Sequence, residues 1–230
     1  MSTCPRNGPN RSERARFSTS CDRCGRLARH LAGVRAEFPA YHARPVAAFG
    51  DPRPRLLIVG LAPGMHGANR TGRPFTGDHA GVLLYDTLHR FGFANQPEAT
   101  DRRDGLRLTG CRVTNAVKCL PPGNKPAPDE VRRCNAYLRD EISMLPHGAV
   151  VLALGGIAHH AVLMAQGLSR TAYPFRHGAR HTLPGGRTLY DSYHCSRYNT
   201  QTRRLTESMF NQVFTDIVQN LSKIRPKPAP

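Results

Sequence analysis

No stretch of this 230-residue chain approaches the ~18 consecutive apolar residues that a membrane-spanning helix requires. A hydrophobic content of 39% is enough for one packed core and too little for a membrane protein. The opening residues, Met-Ser-Thr-Cys-Pro-Arg-Asn-Gly, lack the apolar stretch of a signal peptide, so a cytoplasmic protein is expected. Acidic residues are scarce, 16 Asp+Glu against 33 Lys+Arg, for a formal net charge of +17. Such a surface attracts polyanions, of which nucleic acid is the commonest. Lysine is scarcer still, with only Lys118, Lys125, Lys223 and Lys227. Almost all the positive charge is therefore arginine, whose planar fork bonds phosphate bidentately; an arginine-rich genome leaves the same bias without a ligand. Linkers, repeats and low-complexity breaks are also missing between the two ends.

Residues 1–20 are polar, basic and aperiodic and read as a disordered tail. Residues 223–230 hold three prolines, which fit neither helix nor ladder, and read as a second tail. Between them lies one domain, residues 21–222, of ordinary size. Four short apolar runs, 55–61, 112–119, 149–155 and 188–194, look like strands. The first and third are continuously apolar, as suits strands buried on both faces of a parallel sheet. Helical periodicity fills the gaps at 79–91, 129–145, 157–167 and 203–222, the last with Leu205, Met209, Val213, Ile217 and Leu221 spaced four apart. Strands alternating with helices predict a three-layer α/β/α sandwich around a central, mainly parallel four-stranded sheet. Ligands in such folds bind beyond the carboxyl ends of the strands.

Seven cysteines in a cytoplasmic chain are not expected to form disulfides, which makes metal binding the leading reason for any spaced subset. Cys21 and Cys24 form a C-x-x-C pair at the start of a helical stretch. Cys119 closes the second predicted strand, and Cys134 follows on the apolar stripe of the next helix, 14 residues intervening. Four thiolates suit tetrahedral zinc or a [4Fe–4S] cluster, although free cysteine is also a common small core residue. Cys4 falls in the tail, and Cys111 reads as core.

Three further segments stand out. Gly60-Leu61-Ala62-Pro63-Gly64 leads into Thr71-Gly72-Arg73-Pro74-Phe75-Thr76-Gly77-Asp78. Thr114-Asn115-Ala116-Val117-Lys118-Cys119 continues through Leu120-Pro121-Pro122-Gly123-Asn124-Lys125-Pro126. His194-Cys195-Ser196-Arg197-Tyr198-Asn199-Thr200 ends the fourth strand. Together with the cysteine spacing, and over about residues 21–222, these resemble the cluster-binding uracil-DNA glycosylases. One branch, family 4, carries an acidic run directly after its Gly-x-x-Pro-Gly. Here that run is Met65-His66-Gly67-Ala68-Asn69, with no carboxylate, and the segment from His66 to Arg73 resembles family 5, the type B enzymes. Cys195 stands where many members have proline.

The resemblance implies a [4Fe–4S] cluster on Cys21, Cys24, Cys119 and Cys134. It implies a monomeric monofunctional glycosylase of the bacterial or archaeal cytoplasm, acting on DNA that contains uracil or other deaminated bases such as hypoxanthine. Such an enzyme must hold a flipped base and stabilise its departing anion. Phe75 offers a stacking face, and the Asn115 amide matches uracil's edge. Ala62, Gly64 and Met65 offer backbone N–H groups to the base. His194 can donate to the base O2, while Asp78 and Asn124 are tied by resemblance to catalysis. Ser196, Arg197 and Thr200 would meet the DNA backbone or groove. Asp78 is equally suited to cap the following helix, and the two roles are compatible. His30, His89, His159, His160 and His181 belong to no motif. Two rival readings remain: a uracil-specific family 4 enzyme, and a non-catalytic nucleic-acid-binding protein stapled by its metal.

Overall fold

The computed structural model describes residues 17–223. The expected tails lie outside this span apart from residues 17–20 and 223. Phe17 is packed edge-on against Tyr137, with ring centroids 5.6 Å apart, and Lys223 ends the last helix.

Among the described residues the sheet has six strands, in the order β1-β3-β2-β4-β6-β5. They are β1 (Phe49–Gly50), β2 (Leu56–Gly60), β3 (Cys111–Asn115), β4 (Val150–Leu154), β5 (Arg180–Leu183) and β6 (Arg187–Ser192). The four expected strands form its centre and all run parallel. The expected count of four is corrected by the antiparallel edge strands β1 and β5. Neither carries the apolar signature: β1 has two residues, and Arg-His-Thr-Leu buries only Leu183. The second expected strand also stops early, at Asn115. Ala116 and Val117 still donate to the Gly60 and Leu61 carbonyls, but the chain then turns away, so Cys119 lies four residues past the strand.

Among the described residues, seven α-helices surround the sheet: α1 (Gly25–Glu37), α2 (Ala68–Thr71), α3 (His79–Arg90), α4 (Pro128–Ser143), α5 (Gly156–Ala165), α6 (Arg197–Gln201) and α7 (Glu207–Lys223). The last begins four residues later than its periodicity suggests. Residues 197–201 form a separate turn of helix, Arg203 takes a positive φ of 56°, and Thr206 Oγ1 then accepts from Met209 N to start α7.

Strand alternation divides the core. Leu56, Ile58, Val113, Leu152 and Tyr190 face α3 and α7, meeting Leu84, Leu88, Phe210, Val213 and Ile217. Leu57, Val59, Val151, Ala153 and Leu189 face α4 and α5, meeting Leu138, Ile142, Ala161 and Val162. Each such aliphatic side chain contributes about 1.5–3 kcal/mol on full burial. A third apolar cluster joins α1 (Leu27, Leu31, Val34) to Val117, Cys119, Leu120, Cys134 and Tyr137. Arg26 pins that helix to the first turn of α4 by a bidentate pair with Glu130, at 2.8 and 2.7 Å.

Candidate functional site

A cavity of about 430 Å³ opens beyond the carboxyl ends of the parallel strands, within the ~300–1,000 Å³ typical of small-molecule pockets. Leu61, Ala62 and Gly64 line it from the end of β2, and Asn115 from the end of β3. Leu154, Gly155, Gly156 and Ile157 come from the β4–α5 corner, and His194 and Ser196 from beyond β6. Phe75, Asp78, Ala80, Ala68 and Asn124 complete the wall.

Phe75 sits at φ 52°, a left-handed conformation that a bulky residue adopts only under constraint. The constraint is visible. Arg73 is buried, forms a bidentate pair with Asp104 at 2.9 and 2.5 Å, and donates to Thr76 Oγ1 at 2.8 Å. Tyr85, fully buried on α3, donates its hydroxyl to the Pro74 carbonyl at 2.7 Å. A β-carbon at Gly81 would collide with the Phe75 carbonyl oxygen. The Phe75 ring lies 5.8 Å from that of His194, with an interplanar angle of 26°. A β-carbon at Gly60 would strike both that ring and the Asn115 Oδ1, so glycine is required for the two side chains to meet the strand end.

Asn115 is buried, and its Oδ1 has no hydrogen-bond partner among the described residues. An unsatisfied buried acceptor costs about 1–3 kcal/mol unless a ligand pairs with it. His194 has its pKa pushed down by burial to about 4, so its imidazole is neutral at physiological pH. Its carbonyl is held by Asn199 Nδ2 at 2.8 Å. Asp78 caps α3, Oδ1 accepting from Gly81 N at 2.9 Å. Burial raises its pKa, against the lowering effect of backbone N–H donors. Capping and lining the cavity are thus the same placement. Asn124 sits on the lip at the end of a short 3-10 turn, exposed and at φ 56°.

Three expected site residues do not reach the cavity wall. Met65 packs instead against the apolar cluster of α1, because its loop folds back: Asn69 N donates to the Gly64 carbonyl at 3.0 Å and Asn69 Nδ2 to the Met65 carbonyl at 3.5 Å. Arg197 opens α6 on the exposed surface, next to Ser196, whose Oγ caps that helix through Asn199 N. Thr200 lies on α6 with its hydroxyl 3.0 Å from His79 Nε2. The sequence reading missed the β4–α5 corner, for which a Gly-Gly pair directly after an apolar strand was the available signal. It also passed over Tyr198, 69% exposed on α6.

Cys21, Cys24, Cys119 and Cys134 line one small recess with Phe17, Leu27, Val117 and Tyr137. The Tyr137 hydroxyl donates to Cys21 Sγ and the Lys118 backbone N–H to Cys134 Sγ, each at 3.3 Å. Burial, reinforced by the neighbouring thiols, pushes the Cys119 pKa up to about 12. Four thiols in one recess are a donor set for a metal ion or a metal cluster. The Lys118 ammonium, fully buried, points away from the cavity into a pair with Glu141 on α4, at 2.9 and 3.0 Å.

Comparison with known proteins adds an independent line. Residues 47–218 match the profile of the uracil DNA glycosylase superfamily. A type-5 uracil-DNA glycosylase of Thermus thermophilus is 50% identical over 203 residues, covering 86% of this chain and 92% of the relative. One from Pyrobaculum aerophilum is 41% identical, covering 84% and 86%. A type-4 uracil-DNA glycosylase of Thermotoga maritima is 35% identical over 105 residues, covering 45% and 46%.

Proposed function

This chain belongs to the uracil-DNA glycosylase superfamily and, within it, to the type-5 family, and we propose that it removes uracil from DNA by hydrolysing the N-glycosidic bond, leaving an abasic site for base excision repair. The observation that carries the reading is the orphaned Asn115 Oδ1 at the wall of a cavity that also holds Phe75 and a neutral His194. Uracil N3–H would satisfy that oxygen, and the amide NH₂ would donate to O4. The base would lie against the Phe75 face. As the bond breaks, negative charge develops on the base, and a neutral imidazole N–H from His194 would donate to O2 without carrying its own proton away.

Asp78 is the carboxylate of the wall and the candidate for orienting water. Burial raises its pKa and so strengthens it as a base, but its Oδ1 is held by the Gly81 N–H and residues 65–69 add no second carboxylate, so catalysis would lean on stabilising the leaving base more than on activating the nucleophile. A pocket of that kind would also accept other deaminated bases, including hypoxanthine, and would favour lesions that pair poorly and flip at least cost. Asn124, Ala62 and Gly64 would hold the base and sugar from the lip and the β2 end. Ser196, Arg197 and Thr200 would meet the DNA backbone, and exposed Tyr198 offers a stacking face beside them. Cytoplasmic action as a monomer fits this reading.

Cys21, Cys24, Cys119 and Cys134 would hold a [4Fe–4S] cluster, for which four thiols in one recess are the appropriate donors. Its contribution would be to tie α1 and α4 to the segment that leaves β3. Strand cleavage through a Schiff base is not part of the proposal. That chemistry needs an accessible amine aimed at the sugar; Lys118 is buried in its pair with Glu141, and exposed Lys125, following the Pro-Pro-Gly turn, is better placed to meet phosphate.

The decisive experiment uses a labelled duplex with one U·G pair. Breaks should appear only after alkali or heat, borohydride should trap no covalent complex, and Asn115→Ala should lower uracil release by about 10²-fold or more while DNA binding persists. Nicking without alkali, or a trapped complex, would show the mechanism to be wrong. Absence of any base release would favour a non-catalytic binder, a reading that leaves the cavity without a purpose.

A further inference from the structure

Away from both the cavity and the cysteine recess, three side chains converge whose chemistry the glycosylase reading does not use. His159 lies on α5 and Asp191 on β6, both fully buried, and His181 lies on the edge strand β5 with its side chain 14% exposed. His159 Nδ1 is 2.7 Å from Asp191 Oδ1, and His181 Nε2 is 3.4 Å from Asp191 Oδ2. His159 Nε2 is 2.8 Å from the Tyr173 carbonyl oxygen. A carbonyl only accepts, so Nε2 carries the hydrogen. In the neutral ring, Nδ1 then presents a bare lone pair to a carboxylate oxygen, so the two must share either a proton or a metal ion that binds both from the side. A proton on His159 would account for that contact alone. It would leave Asp191 Oδ2 and His181 Nε2, neither of which has a hydrogen-bond partner among the described residues.

We propose that His159 Nδ1, His181 Nε2 and the Asp191 carboxylate form a divalent-metal site, with zinc as the ion that suits two imidazoles and one carboxylate. One cation satisfies both orphaned atoms and the facing lone pair together. The Tyr173 carbonyl supplies the outer support that metal-ligating histidine characteristically has, fixing the tautomer and ring orientation through its other nitrogen. A water molecule completes four-coordination. The site is structural, because none of the three ligands lines the cavity. It clamps β5, which pairs with β6 alone, and β6 itself onto α5. The first residues of α5, Gly156 and Ile157, are cavity wall, so the clamp braces that wall from behind.

The test uses the full chain, purified anaerobically with its iron in place and dialysed against micromolar zinc. One zinc per chain should be gained with iron content unchanged. Zinc-edge X-ray absorption should show a nitrogen/oxygen shell at ~2.0–2.2 Å rather than sulfur at ~2.3 Å. His181→Ala, at the sheet edge, should weaken retention by about ten-fold or more, and Asp191→Asn should abolish it. Unchanged iron without retained zinc, a sulfur shell, or a His181→Ala protein that binds zinc as tightly as the parent would each overturn the site. The absorption measurement needs only the unaltered protein, so a variant that misfolds does not shelter the proposal.

Discussion

Protonation of His194 should destabilise the protein over a defined pH window, and the structure sets the size of the effect. Burial holds the ring's pKa to about 4, against 6.5 for an unperturbed imidazole. The folded state therefore binds fewer protons than the unfolded state between these values. The associated stability is fully present above pH ~6.5 and is lost as pH falls towards ~4. At about 1.4 kcal/mol per pKa unit the complete loss is about 3 kcal/mol, of which about 2 kcal/mol falls between pH 7 and pH 5. Burial also lowers His42, His160 and His177, so the wild-type curve alone reports several groups. His194→Gln removes the one titration. Anaerobic urea unfolding at pH 7 and pH 5 should find the variant flatter than the parent by that ~2 kcal/mol. Uracil release should show no inflection from His194 between pH 5.5 and 8. Parallel stability curves, or an NMR titration placing His194 near 6.5, would refute the reasoning, because a donor that is cationic near neutrality is a different catalyst.

Asp78→Asn should separate stability from activity. Asparagine caps a helix as well as aspartate does. The raised pKa means that the native carboxylate subtracts stability as pH rises through its folded-state value. The variant should therefore be at least as stable as the parent at pH 7 in urea titrations, while uracil release falls by about 10²-fold. Cys134→Ser should lower iron content and melting temperature together, measured by metal analysis and thermal scanning. Arg197→Ala should weaken DNA binding equally for uracil-containing and normal duplexes, and should flatten the log–log salt slope by roughly one unit.

The parallel centre of the fold was legible because its signals are local. Leu56–Gly60 and Val150–Leu154 are continuously apolar, and the stripe of α7 repeats every fourth residue. The edges were not, since β5 exposes most of its side chains and owes its existence to β6. Much of the candidate cavity was legible only through long motifs, because nothing about an isolated Phe75 or His194 distinguishes it from a core residue. What no motif conveyed was how Phe75 is held. Arg73 reads as one more surface cation in a chain of net charge +17, yet it is buried on Asp104, 31 residues away. Lys118 is similar: it stands three residues after Asn115 in the same motif, but its partner Glu141 lies on the next helix. Met65 went the other way, because a loop that folds back upon itself leaves no periodic trace.

The strand order explains why these parts meet where they do. β2 and β4 are neighbours at the middle of the sheet, and the chain leaves β2 towards β3 on one side and β4 towards β6 on the other. Connections that diverge in this way leave a crevice at the carboxyl ends of the strands. Leu61, Ala62, Leu154 and Gly155 occupy it, with Asn115 and His194 arriving from the flanking strands. The segment leaving β3 then serves two masters: Asn115 faces the cavity, and Val117 and Cys119 face the cysteine recess. Val117 and Cys119 belong to the third apolar cluster, separate from the two that pack on the sheet. A change at the recess should therefore reach the cavity through a four-residue lever, displacing Asn115 while the sheet stays folded. Catalysis should consequently fail before secondary structure does. Uracil release and far-ultraviolet circular dichroism, followed on one sample of Cys134→Ser, would expose the opposite order if the lever were not there.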